Sequence, residues 1–330
     1  MINKTLNIIL LSCAFLIPLG GMSGCADKEI KSKDQPSKHR ILGYLYVSDN
    51  LESAFRQVDL SRLTDLNIAF INPDNQGNFP PNPFYKELVK KAHESQVQVF
   101  FSIGGGVPPD HLGEVLSTAD GRDKLISGIV DFLDKYGFDG VDIDLENDLI
   151  NAHYAPFIYW TAKAVKAKGK MVTAALAKWN SNLIADSTLA RYDFINIMSY
   201  DATGPWNLDN AGPHSPYTMA VSDFEYYRDI RHIAADKLMI GVPFYGYGFN
   251  GAPGTMLYKD IVASYPGSED KDEINLGGGT VYYNGIPTIQ RKSKFAREKG
   301  ARGVMIWELT QDSQDEKSLL KAIHEALNKE

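Results

Sequence analysis

The sequence predicts an α/β protein, a (β/α)8 TIM barrel in a single domain, and three observations carry that expectation. Eight short apolar runs have the length and content of buried strands: Ile41–Val47, Leu66–Ile71, Val97–Ile103, Phe138–Glu146, Lys170–Ala177, Phe194–Tyr200, Leu238–Phe244 and Gly303–Trp307. Longer segments with helical periodicity separate them, the alternation that builds a parallel sheet. The alternation fills residues 40–330, a span that suits one such barrel. With 44% hydrophobic and 23% charged residues, the chain has the material for a sizeable core.

Ahead of the barrel the composition changes. Lys4 is followed by an apolar run from Leu6 through Leu19 and then by small residues as far as Cys25. This is the pattern of a secretory signal, and its apolar core is too short for a spanning helix. Met22-Ser23-Gly24-Cys25 resembles the lipobox of bacterial lipoproteins, in which the cysteine becomes the lipidated first residue. The alternative is a simple secretory signal cut near the same place. Cys13 falls in the removed segment, so the mature chain keeps a single thiol and no internal disulfide. Residues 26–39 are polar and charged, with Lys28, Glu29, Lys31, Lys33, Asp34 and Pro36, and read as a flexible tether. The expected organisation is a signal over 1–24, a lipidated tether over 25–39 and the barrel over 40–330. The expected place is outside the cytoplasm, held to a bacterial membrane by lipid on Cys25, with the outer membrane or the cell surface open to it.

Within the barrel, three helical stripes read as core surface. Lys124–Tyr136 aligns Leu125, Ile129, Phe132 and Leu133; Ala155–Lys168 aligns Ile158, Ala162 and Val165; Glu316–Leu327 aligns Leu319, Leu320, Ile323 and Leu327. The span from Gly246 to about Pro287 shows no such pattern and reads as irregular, allowing at most a short insertion between strands seven and eight.

The fourth run carries the chemistry. Strand side chains alternate faces, so Asp142, Asp144 and Glu146 share one face while Val141, Ile143 and Leu145 share the other. Successive acids then stand about 7 Å apart by Cα spacing. The apolar opposite face buries the strand, and carboxyl groups so close in a shielded place cannot all ionise at neutral pH. One keeps its proton, which makes a general acid; a divalent-metal site is the other use of such a row. Asp139, one parity step away, reads as a structural acid. Active sites of these barrels form at the C-terminal ends of the strands. Strand six ends there with Tyr200 and Asp201, and strand eight with Trp307; parity joins Met198 to Tyr200 and Met305 to Trp307. Weaker aromatic candidates for ligand contact are Trp206, Trp179, Tyr245 and Tyr44, and His153 and His214 read as surface residues.

The run Asp139-Gly140-Val141-Asp142-Ile143-Asp144-Leu145-Glu146 resembles the Asp-Gly-x-Asp-x-Asp-x-Glu signature of glycoside hydrolase family 18, the chitinases and their relatives, at every specified position. Ser102-Ile103-Gly104-Gly105 is similar to that family's strand-three motif and Met198-Ser199-Tyr200-Asp201 to its strand-six motif. Gly241-Val242-Pro243-Phe244-Tyr245-Gly246 and Gly303-Val304-Met305-Ile306-Trp307-Glu308 are similar to the segments of strands seven and eight. The resemblance implies substrate-assisted, retaining hydrolysis of β-linked N-acetylglucosamine chains, in which the sugar's own acetamide oxygen is the nucleophile. By position it makes Glu146 the acid and then the base, and sets Asp144 to hold the acetamide with Asp142 behind it. Tyr200 would hydrogen-bond the acetamide oxygen, Trp307 would floor the distorted sugar, and Asp201 would bind hydroxyls; Met198, Tyr245, Trp206 and Tyr44 complete the expected substrate set. It also implies a small α+β insertion after strand seven, for which the span here is short, and so a shallow groove.

Other partners are set aside on chemical grounds. A net charge of −7 argues against a nucleic-acid partner. The histidines lack metal-ligand spacing, so no metal is expected. Gly246-x-Gly248-x-x-Gly251 matches a dinucleotide fingerprint formally, but no helix opens at it and no βαβ unit follows, so no cofactor is expected. Two other functions stay open: an endo-β-N-acetylglucosaminidase acting on N-glycan cores, and a sugar-binding lipoprotein without catalysis.

Overall fold

The strands of the barrel are runs of aliphatic and aromatic residues buried on both faces, because helices cover the outside and neighbouring strands close the inside. The computed structural model describes residues 39–46 and 50–328; the expected signal, Cys25 and residues 26–38 of the tether lie outside the described residues. In chain order the elements begin with β1 (Arg40–Tyr46), α1 (Leu51–Arg56), β2 (Asp65–Ala69), α2 (Phe84–Glu94), β3 (Gln98–Gly104), α3 (Leu112–Ser117), α4 (Ala119–Tyr136) and β4 (Gly140–Asp144). They continue with α5 (Tyr154–Ala167), β5 (Met171–Leu176), α6 (Asp186–Leu189), β6 (Phe194–Ile197), α7 (Tyr217–Glu225) and β7 (Leu238–Pro243). After β7 come β8 (Tyr245–Phe249), β9 (Thr255–Leu257), α8 (Tyr258–Ser264), β10 (Glu273–Leu276), β11 (Gly279–Tyr282), α9 (Ile286–Glu298), β12 (Gly303–Trp307) and α10 (Leu319–Asn328).

Eight strands close in the order β1-β12-β7-β6-β5-β4-β3-β2, each parallel to its neighbours, so the fold is the (β/α)8 barrel that the alternation predicts. Each of the eight sequence runs overlaps one barrel strand. Two cores result. The larger lies between strands and helices and takes Val141, Ile143 and Leu145 from the β4 segment together with Leu125, Ile129 and Phe132 of α4. The smaller fills the barrel with Leu42, Tyr44, Ala69, Phe100, Phe194, Met239 and Met305. Helix α4 begins before the periodic stripe, at Thr118, whose Oγ1 accepts the Gly121 N–H and caps the first turn.

Between β7 and α9 the structure corrects the expectation of an irregular span. Strands β8 to β11 form an antiparallel sheet in the order β10-β11-β8-β9, with α8 beside it. These strands are three to five residues long, too short to carry a period. Only Phe244 separates the end of β7 from the start of β8. Its N–H donates to the Trp307 carbonyl at 2.8 Å, so the insertion departs rigidly from the barrel mouth.

Candidate active site

Strand β4 delivers the acidic row as its alternation requires. Asp142 and Asp144 turn into the barrel and are buried, while Glu146, two residues beyond, stays extended (φ −116°, ψ 169°) and reaches the cleft at the mouth. Ser102, Asp142 and Thr173 are register partners across β3, β4 and β5, and this places two hydroxyls on the middle acid. Asp142 Oδ1 accepts from Thr173 Oγ1 at 2.5 Å and Asn196 Nδ2 at 3.2 Å; Oδ2 accepts from Tyr44 Oη at 2.7 Å and Ser102 Oγ at 2.8 Å. Burial pushes the Asp142 carboxyl up, and these four donors pull the other way. With its lone pairs committed to donors, Asp142 has nothing left for a metal ion. Among the described residues no group of three or more His, Cys, Asp or Glu side chains is placed to hold one.

Asp144 is in the opposite condition. Its Oδ1 is buried and has no hydrogen-bond partner among the described residues. Burial, then the neighbouring Glu146 and Asp142 charges, push its carboxyl well above the ordinary range. Glu146 is also raised, by burial first and then by the Asp201 charge. The row thus holds a donor-saturated acid at its inner end and two acids of raised proton affinity toward the mouth. Gly104, at φ +100°, lets the end of β3 press on this segment: a Cβ there would meet the Asp144 carbonyl at 2.2 Å. Asp139 accepts from the Val99 N–H at 2.8 Å and contacts His93 Nε2 at 2.8 Å, a structural acid at the head of the strand.

Residues after β6 form the facing wall. Met198 and Tyr200 pack on the barrel-filling core together with Trp307, and burial, then the Asp144 charge, push the Tyr200 phenol well above its usual value. Gly241 on β7 lets β6 lie close, since a Cβ there would meet the Ile197 carbonyl at 2.2 Å and lie 3.1 Å from the Tyr200 ring. Asp201 sits in the left-handed region at φ +63°, a costly conformation for a non-glycine residue, and its side chain is clamped there. Tyr245 Oη donates to Asp201 Oδ1 at 2.6 Å, and His214 Nδ1 lies 3.2 Å from the same oxygen. His214 was expected at the surface; it is fully buried, its Nε2 3.2 Å from the Tyr245 carbonyl. Its flanking Gly212-Pro213 and Ser215-Pro216 look like a surface loop, and Pro213 is exposed, but the His214 ring packs beneath Tyr245 and Tyr247 of the insertion.

The cleft encloses about 1070 Å³ and is lined by Glu146, Met198, Tyr200 and Asp201, with Trp179, Trp206 and Tyr247 along its sides. Trp206 is exposed and meets Tyr247 edge to face at 5.2 Å. Trp307 is half-buried, stacked on Phe70 at 5.6 Å and edge-on to Tyr44 at 5.5 Å. Two expected ligand contacts are placed otherwise. Tyr44 is 1% exposed and Tyr245 6%, and their hydroxyls are spent on Asp142 and Asp201, so both act behind the surface they were expected to form. Sequence reasoning missed Tyr247, Phe70, Lys178 and Asp223; of these, Tyr247 alone carried a signal, as the aromatic at i+2 from Tyr245.

Residues 40–312 match the family model described as glycosyl hydrolases family 18. A crystal structure of the GH18 chitinase ChiB from the chitin utilization locus of Flavobacterium johnsoniae is 33% identical, with a TM-score of 0.79, covering 88% of this chain and 94% of that one. Among curated relatives, a chitinase-like effector of Moniliophthora roreri is 29% identical over 252 residues, 66% of this chain. Chitinase A1 of Niallia circulans is 25% identical over 298 residues, 67% of this chain. The matches span 62% and 42% of the lengths of those two relatives.

Proposed function

We propose, because the chain belongs to family 18 of the glycosyl hydrolases, that it hydrolyses β-1,4-linked N-acetylglucosamine polymers or oligomers, with Glu146 as the acid and then the base. The observation that carries this reading is the pairing of a raised, cleft-lining Glu146 with a buried Asp144 whose Oδ1 has no partner among the described residues. Glu146 gives its proton to the glycosidic oxygen as the C–O bond breaks, which a sugar alkoxide needs. The acetamide oxygen of the same sugar attacks the anomeric carbon, retaining configuration after two inversions. Asp144 takes the acetamide N–H on its open oxygen and stabilises the positive charge of the ring that forms, strongly so in a shielded site. Glu146, now a carboxylate, removes a proton from the water that opens that ring and is re-protonated. Tyr200 donates to the acetamide oxygen, Trp307 lies beneath the sugar, and Met198, Asp201 and Trp206 contact the chain on either side.

Release of chitobiose from a defined N-acetylglucosamine hexamer tests the reading. Glu146→Gln is expected to lose at least about a hundredfold in kcat and still hold the hexamer. Unchanged turnover in that variant would remove Glu146 from the chemistry. A wild-type protein that binds the hexamer and releases nothing is a sugar-binding protein, and release of free oligosaccharide from a glycoprotein in preference to hexamer cleavage points to N-glycan cores. The same proposal includes a lipid on Cys25. Membrane-bound, palmitate-labelled protein that becomes soluble and unlabelled in Cys25→Ser is the expected result.

A further inference from the structure

Lys292, on α9, is fully buried and has no ion pair among the described residues. Its Nζ donates to the Ser215 carbonyl at 2.7 Å, to Ser215 Oγ at 2.7 Å and to Asn284 Oδ1 at 2.6 Å. Three acceptors match the three N–H bonds of an ammonium, whereas a neutral amine has two and would turn a lone pair on the third. The charges that face it are Asp272 and Asp223; Asp272 already accepts from the Gly285 N–H and Thr288, and Asp223 sits 3.5 Å from Lys178. Burial draws the Lys292 amine down to about 7.

What the ammonium holds is a dipeptide that touches the site in four places. Ser215 Oγ donates to the Ser199 carbonyl at 2.7 Å, and the Ala202 N–H donates to the His214 carbonyl at 2.9 Å. The His214 ring lies against Asp201 through one nitrogen and the Tyr245 carbonyl through the other. The segment so bracketed, 199–202, carries Tyr200 and Asp201. Asn284 adds a second hold on the Ser215 carbonyl, at 3.0 Å, from the return of the insertion sheet.

We propose that Lys292 is a positioning residue that fixes Ser215 and, through the His214-Ser215 pair, keeps Tyr200 and Asp201 where Glu146 requires them. The inference rests on the assignment of Glu146 as acid and base. Asp201 helps keep the proton on Glu146, so freeing Asp201 lowers the pH at which that proton is lost.

The full chain carrying Lys292→Met is compared with wild type on a chromogenic N-acetylglucosamine oligomer, with folding checked by near-UV circular dichroism. The expected result is a native spectrum, a kcat lower by about tenfold to a hundredfold, and an alkaline limb of the kcat profile displaced to lower pH. In an Asp201→Asn background the same substitution is expected to displace the alkaline limb no further, because that displacement runs through Asp201. A wild-type kcat with an unmoved alkaline limb overturns the inference, as does a further displacement of the limb in the Asp201→Asn background. Should Lys292→Met fail to fold, Ser215→Ala keeps the lysine and removes the link to Ser199; a displaced limb supports the inference and an unmoved one overturns it. Unchanged turnover in Glu146→Gln would defeat the assignment of Glu146 as acid and base, whereas an inactive Glu146→Gln beside an unaffected Lys292→Met defeats only the role of Lys292.

Discussion

Asp142 and Asp144 are two residues apart on one strand and face the same interior, yet their surroundings are opposite. The inner acid accepts four hydrogen bonds, from β1, β3, β5 and β6, and nothing about it is left to satisfy. The outer acid has a bare oxygen and a raised affinity for its proton. The contrast separates two uses of a buried carboxyl. One ties four neighbouring strands to its own; the other keeps an oxygen open on the barrel interior.

The contrast can be broken by substitution, and the expected effects fall in order. Glu146→Gln removes the proton donor and is expected to cost about 10² to 10⁴ in kcat, read from single-turnover cleavage of the hexamer. Asp144→Asn is expected to lose at least about a hundredfold in kcat while its melting temperature stays near the wild-type value, because the unpartnered Oδ1 gives up no hydrogen bond. Asp142→Asn should do the reverse in stability. Its amide turns N–H bonds toward two of the four donors, and urea unfolding is expected to show about 1–3 kcal/mol lost. Equal melting temperatures for the two Asn variants would erase the distinction.

A smaller effect concerns pH. Glu146 must be protonated to act as the acid, so activity falls as pH rises through its raised value. Asp201→Asn removes one of the two causes of that rise and is expected to bring the fall to lower pH, measured on kcat. The smallest expected effect belongs to the cleft edge. Trp206→Ala should raise KM for the hexamer several-fold, about 1 kcal/mol, and leave turnover of a short chromogenic oligomer nearly unchanged.

Much of this organisation is written in short-range pattern. The acidic row is legible because a period of two survives burial on both faces of β4, and the barrel is legible because eight apolar runs alternate with helical stripes. What the sequence hides depends on contacts between distant segments. Tyr44 looks like any aromatic within a strand; only the register of β1 against β2 and the closure of the barrel bring its hydroxyl to Asp142, 98 residues on. His214 sits among glycine and prolines, and its burial comes from an insertion whose strands are too short to be read. Lys292 lies on a helix face where lysine is ordinary, and its partners come from a loop 77 residues earlier and from Asn284.

The single-residue joint at Phe244 gives the protein a modular wall. Because β8 leaves the barrel without slack, Tyr245 reaches Asp201 from a fixed starting point, and the outer strands β9 and β10 hang from β8 and β11 as edges. Longer hairpins in place of those edges would extend the insertion while leaving the acids on β4 where they are. The outline of the insertion and the acidic row can therefore change separately in this scaffold.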